Sequence, residues 1–325
     1  MKLLKTLSYL LGLSFAALAT AVGAYGGDSA LSQAPSFYRG TLGRFQVTAL
    51  SDGVAPRDFG DILSKKKEVQ SIIASYHEQE PIPISVNAYL VNTGSHLVLI
   101  DTGAGELFGP DSGKLISSME AAGFSPDQID TILLTHIHGD HSGGLTVGGR
   151  MVFPNATVYV SKKDVDYWLD KGNRLEAPDD RRTVEQSRAT VGPYVDANRV
   201  HYLTSDGEIL PGIKAVASPG HTPGHTVYYV ESDGHKMLFW GDTIHSSEVQ
   251  FEHPDVSVAY DVVPAQAVMS REKLLREAAI SGIVVASDHI SFPGLGHVRK
   301  VHGAYQWAPL PYNDGVTELD PRPTN

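Results

Sequence analysis

The chain has 325 residues, 42% of them hydrophobic, enough for one large domain or two modest ones and for a sizeable core rather than wholesale disorder. Its formal net charge of −11 is the wrong sign for a nucleic-acid-binding surface. It holds no cysteine, which excludes disulfides, thiolate catalysis and Cys-ligated zinc, so any metal site must use His, Asp or Glu.

At the N-terminus, Lys2 and Lys5 precede a mainly apolar stretch from Leu7 to Val22, and Val22-Gly23-Ala24 fits a small-x-small cleavage site. This is the pattern of a signal peptide over residues 1–24, short for a spanning helix. No second apolar segment follows, so no stable membrane anchor is expected after cleavage, and the expected location is periplasmic or secreted. Residues 25–40 are rich in Gly, Ser and Ala and read as an arm. Residues 41–325 show no repeat or internal boundary and read as one domain.

Strand and turn signals dominate that domain. Residues 45–53 form a strand, and 85–103 hold two apolar runs around Asn-Thr-Gly-Ser, a hairpin. A short buried strand opens 131–141 and another covers 156–164. Residues 212–220, the hairpin 225–243 and 282–289 complete the strands. Helical spacing appears at 64–77, 111–123 and 265–282, the last two ending at Gly. The mixture is α/β, with hairpins rather than strict βαβ alternation.

The chemistry concentrates in "LLTHIHGDHSGG", residues 133–144. His136 and His138, two apart at a strand end, are expected to face one side, Gly139 to turn the chain, and Asp140 and His141 to project nearby. All four would crowd one ion but suit two a few ångströms apart. Three later strand ends add His221 in "SPGHTPGH", Asp242 in "FWGDT" and His289 in "VASDHISFPG", as a site along one sheet edge requires.

This H-x-H-x-D-H run with later His, Asp and His resembles the metallo-β-lactamase-fold superfamily of dinuclear metal hydrolases, as does "LVLIDTG" with Asp101 and Gly103. The segments "AYLVNTGSHLVLIDTG", "LFGP", "FPNA" and "SFPGLGHVR" look most like its periplasmic methyl parathion hydrolase group and the lactonase relatives. The resemblance implies an αβ/βα sandwich, two mixed β-sheets flanked by helices. It also implies two divalent ions. His136, His138 and His221 would hold the first, Asp140, His141 and His289 the second, and Asp242 would bridge them. Zinc suits such ligands, and Mn, Co or Fe are not excluded by them. A hydroxide shared by the ions would be the nucleophile, with Asp242 and Asp140 as the catalytic carboxylates and Asp140 relaying a proton.

Asp101 and His225 are second-shell candidates, able to hold ligand histidines, with a turn residue and a purely structural histidine as the alternatives. Phe108 and Trp168 match pocket-wall positions of the phosphotriesterase relatives or are core, and His245 belongs to the pocket rim or the surface. Residues 181–190 are polar where those relatives carry aromatics. The leading reading is an exported hydrolase of lactones (acyl-homoserine lactones among them) or carboxylic esters, with phosphotriesters beside them. A dedicated organophosphate hydrolase and a non-catalytic metal-containing binding protein are the alternatives. A β-lactamase shares the fold, but fold alone does not set substrate. The expected partner is a small ester, lactone or phosphotriester, with no nucleic acid and a homodimer left open.

Overall fold

Alternation along the strands decides which layer each apolar side chain joins, because successive residues face opposite sides of a sheet. In Ile82–Asn92, Tyr89 and Val91 point one way, Ala88 and Leu90 the other. The first pair meets Tyr228, Val230, Phe239 and Ala286 of a second sheet, and the second pair meets helices. Burying each of the Val, Leu and Phe side chains among them contributes about 1.5–3 kcal/mol.

The computed structural model describes residues 36–169 and 178–321; the expected signal peptide and most of the expected arm lie outside them. Among the described residues, one sheet runs in the order Thr317–Glu318, Phe37–Leu42, Phe45–Arg57, Ile82–Asn92, Leu97–Ile100, Thr131–Leu133, Thr157–Ser161, Val200–Leu203. Its middle pairs from Phe37 to Ile100 are antiparallel, and from Leu97–Ile100 onward the strands are parallel. The other sheet runs Gly207–Leu210, Ile213–Ala217, Thr226–Ser232, His235–Phe239, Val284–Ala286, Leu295–Val301, Ala304–Pro309. There only His235–Phe239 and Val284–Ala286 are parallel. Helices Leu115–Ala121, Lys162–Leu169 and Pro178–Asp196 cover the first sheet through Met119, Trp168 and Tyr194. Helix Pro264–Ser281 covers the second through Leu274, Leu275 and Ala278. Helix, sheet, sheet, helix is the αβ/βα sandwich expected from the resemblance. No described helix is long and apolar enough to cross a membrane.

Several elements differ from the sequence reading, among them two near the expected boundaries, and strands Val200–Leu203, Gly207–Leu210, Leu295–Val301 and Ala304–Pro309 were not expected. The strand expected over 156–164 stops at Ser161, and helix Lys162–Leu169 begins at once. Period-2 burial ends there, and Val165, Trp168 and Leu169 recur at helical spacing. Strand Phe37–Leu42 takes in the last residues of the expected arm, with alternate residues buried.

Candidate metal centre

Four loops carry the metal-competent side chains, and each follows the C-terminal end of a strand, where α/β sheets ordinarily bind ligands. The loop after Thr131–Leu133 carries His136, His138, Asp140 and His141. The loops after Ile213–Ala217, His235–Phe239 and Val284–Ala286 carry His221, Asp242 and His289. His136 and His138, expected at the strand end with both rings on one side by strand alternation, lie beyond the strand, which ends at Leu133. The ladder ends at Leu133 because the Thr135 N–H turns to the Asp101 carboxylate, 2.8 Å away. Gly139 does not make a turn. It opens the short helix Gly139–Ser142, and an added Cβ would lie 2.9 Å from Gln186 Oε1 and 3.2 Å from the Phe108 ring, so a larger residue would displace those side chains.

Asp242 stands at the centre. Its Oδ2 lies 3.1 Å from His221 Nε2 and 3.6 Å from His136 Nε2, and His221 Nε2 lies 3.0 Å from His138 Nδ1. Its Oδ1 lies 2.9 Å from His141 Nε2 and 3.0 Å from His289 Nε2. Asp140 closes that second group, 3.9 Å from His141 Nε2 and 3.7 Å from His289 Nε2. Within each of the groups His136, His138, His221, Asp242 and Asp140, His141, His289, the ligand atoms fall within 4.8 Å of one another. The structure thus brings the seven residues together, with one Asp242 oxygen turned to each group.

Two cations fit this donor set. His136 Nε2, His141 Nε2 and Asp242 Oδ1 are buried without a hydrogen-bond partner, a costly state unless something else satisfies them. The opposite ring nitrogens are held. His136 Nδ1 meets Thr135 Oγ1 at 3.0 Å, His141 Nδ1 meets Asp101 at 2.8 Å, His221 Nδ1 meets Asp261 at 2.9 Å and His289 Nδ1 meets the Ser85 carbonyl at 2.9 Å. At His136 and His141 one nitrogen is bare toward the centre and the other anchored, as metal-binding imidazoles are oriented. Burial disfavours charge on His221, but the carboxylates of Asp242 and Asp261 outweigh it and raise it to about 9. Burial likewise opposes charge on His141, and Asp242 and Asp101 carry it well above its ordinary value. Without metal, protons on these rings balance the ionised Asp242, and cations would take their place.

Asp101 is fully buried and holds both groups. Its Oδ2 accepts from His141 and, at 2.7 Å, from the Thr135 hydroxyl that also meets His136. His225 serves the backbone instead. Its Nδ1–H donates to the Ser218 carbonyl at 3.0 Å, and its Nε2 accepts the Asp242 N–H at 3.1 Å, so neither nitrogen is left for an ion. Burial, then the charge of His221, pushes it down to about 3.

Above the centre lies a cavity of about 690 Å³ whose walls include Ile62, Ile84, Phe108, Tyr167, Trp168 and His245. His245 is buried, donating toward Asp242 Oδ2 at 3.0 Å and stacking on His289. Trp168 is both wall and core, 2% exposed and edge-on to His138 at 5.4 Å. Phe108 is half-buried, with the Arg57 guanidinium 5.1 Å from its ring centre. The helix containing 181–190 contributes Arg182, Thr183 and Gln186, a polar wall. A larger cavity, about 1200 Å³, lies away from these residues between helix Pro264–Ser281 and the second sheet.

The sequence reading missed Asp261, Thr135 and Asp288. Asp288 lies within 4.8 Å of Asp101 and His141, where burial and then the Asp101 charge push its carboxyl well above the usual carboxylate range. Its place beside His289 was the only local signal; Asp261 had none.

Comparison with known proteins agrees with this geometry. Residues 81–284 match the family described as the metallo-beta-lactamase superfamily. A crystal structure of hydrolase AbOPH, in the beta lactamase superfamily, is 37% identical, with a TM-score of 0.81 over 87% of this chain and 100% of that one. AidC, a dizinc quorum-quenching lactonase solved with a product, N-hexanoyl-L-homoserine, is 27% identical, with a TM-score of 0.78 over 86% of this chain and 99% of that one. Hydroxyacylglutathione hydrolase of Aeromonas salmonicida (strain A449) is 30% identical over 163 residues, 49% of this chain but only 46% of that protein. The family match spans most of the two-sheet domain and takes in six of the seven centre residues, all but His289: the chain is an enzyme of the metallo-beta-lactamase superfamily.

Proposed function

We propose that this enzyme is an exported, dinuclear hydrolase of lactones and carboxylic esters, acyl-homoserine lactones among them, that also accepts phosphotriesters. The observation that carries the reading is the Asp242-centred pair of ligand groups on the floor of a cavity of about 690 Å³ with mixed apolar and polar walls. Such a volume suits a small ester with an apolar arm. The likeness to the lactonase AidC supports the lactone in first place.

Two divalent ions held there, zinc first among them, supply Lewis acidity and an activated water at neutral pH. The chain's own residues do the rest. His136, His138 and His221 would hold one ion, Asp140, His141 and His289 the other, and Asp242 both. Asp140 lines the cavity, so its carboxylate can take up and release a proton beside the substrate. Tyr167 and Trp168, packed edge to face at 4.7 Å, help exclude water from that wall. Phosphotriester cleavage is supported by the aromatic walls, which suit an aryl leaving group.

The test is a hydrolysis panel on zinc-loaded protein: acyl-homoserine lactones, aryl esters, methyl parathion and a cephalosporin. Lactones should lead in kcat/KM; methyl parathion leading by tenfold would replace this reading with the organophosphate one. Export predicts a chain beginning near Tyr25 by intact mass in the periplasmic fraction, and a full-length cytoplasmic product would refute it.

A further inference from the structure

Helix Lys162–Leu169 carries Trp168 on the cavity wall and, one turn earlier, Asp164. Asp164 is fully buried yet reaches no ligand nitrogen of the centre. Its Oδ2 accepts the Ile137 N–H at 3.3 Å and the Thr222 hydroxyl at 2.8 Å, and its Oδ1 accepts the Gly224 N–H at 2.6 Å. Ile137 lies between His136 and His138, and Thr222 directly follows His221.

These two loops leave different sheets. The first follows Thr131–Leu133 of one and the second follows Ile213–Ala217 of the other. At the strand ends they are joined by the Thr226 N–H to the Thr135 carbonyl, 2.8 Å, and by the Tyr228 hydroxyl to the Leu134 carbonyl, 2.6 Å. The stretches that bear the histidines lie beyond those joints, and there the Asp164 carboxylate spans them. The fit is close: a Cβ on Gly224 would lie 2.7 Å from the Asp164 nitrogen and 2.6 Å from Ser161 Oγ.

We infer that Asp164 is a positioning residue of the three-histidine half of the centre, a brace that fixes the loop of His136 and His138 on one sheet against the loop of His221 on the other. The inference rests on the dinuclear reading above. The remaining half stands on other supports, Asp101 behind His141 and the Ser85 carbonyl behind His289. Burial pushes the Asp164 carboxyl up to about 6, and its three donors oppose that rise. Three donors on one buried carboxyl are a strong tie. Loosening it should therefore weaken one ion and spare the other.

The experiment uses full-chain protein loaded with two equivalents of zinc, titrated with the chromogenic chelator 4-(2-pyridylazo)resorcinol. Asp164→Asn sets an amide N–H against one of the three donors. Thr222→Val removes one donor with little change of shape and serves if the first variant does not fold. Each variant is expected to surrender its first equivalent at about 10–100-fold lower chelator than wild type, the scale for lost outer-shell support, while the second equivalent holds at the wild-type concentration. Release of both equivalents as in wild type overturns the inference. So does equal weakening of both with a matching fall in the thermal midpoint of the metal-free protein, the mark of a merely structural residue. A wild-type protein that holds fewer than two equivalents refutes the dinuclear reading itself, and this inference with it.

Discussion

Replacing the central carboxylate isolates the contribution of its charge. In Asp242→Asn the side chain keeps its volume, and the backbone N–H still donates to His225 Nε2 at 3.1 Å. What changes is that one of two oxygens, now 2.9–3.1 Å from ring nitrogens of His141, His289 and His221, becomes an NH₂ aimed at a cation. Counted against one unit of the ion's charge, a carboxylate charge about 4 Å away at an effective dielectric near 20 is worth about 4 kcal/mol, a lower bound for a divalent ion. At 1.4 kcal/mol per decade, one ion should bind more weakly by about 10³-fold or more. Turnover should fall about 10²-fold or more, since charge stabilisation in the transition state goes with it. The core between the sheets is apolar and contains no centre residue, so the circular dichroism spectrum should persist. Elemental analysis, chelator competition and steady-state kinetics read these effects. Retention of both ions with turnover within tenfold of wild type would refute the bridging role.

Trp168→Ala should cost about 3–5 kcal/mol in urea denaturation, as expected for a buried ring, and raise KM while metal content stays at two; an unchanged KM would make the ring core only. Asp261→Ala should weaken one ion about 10–100-fold through loss of the His221 support, with Asp261→Asn milder because its oxygen still accepts; chelator titration measures both. His225 is held at about 3, below its ordinary 6.5, so the unfolded chain binds the proton first and stability is lost as pH falls from 6.5 toward 3. At pH 5 that loss is about 2 kcal/mol. His225→Gln should show a correspondingly shallower drop between pH 7 and pH 5 in urea titrations of metal-free protein.

The ligands were legible because their signal is local. Three histidines and an aspartate within six positions stand out in any reading, and His221, Asp242 and His289 each follow an apolar strand into a turn. The hairpins and helix Pro264–Ser281 were legible for the same reason, since each pattern completes within a dozen or so residues. The supports were not. Asp261 sits 40 residues from the histidine it holds, and a lone acid in a loop looks like any solvated one. Arg271, fully buried in helix Pro264–Ser281 and donating to the Thr243, Pro254 and Val256 carbonyls, was equally silent. Strands Leu295–Val301 and Ala304–Pro309 escaped notice because only three of their thirteen residues are fully buried, which dilutes the apolar pattern.

The placement of the ligands also bears on how the sandwich stays shut. Residues from His136 to His289 reach the centre from both sheets, and neither sheet alone supplies a full set for either ion. An unfolded or half-opened chain therefore cannot hold ions as the closed one would, and each ion would act as a clasp. By mass action, free ion at a thousand times its dissociation constant adds about 4.1 kcal/mol to the closed state. The same chain should then be a firmer protein in metal-replete surroundings than in metal-poor ones, and its lifetime before proteolysis should follow the supply of ions.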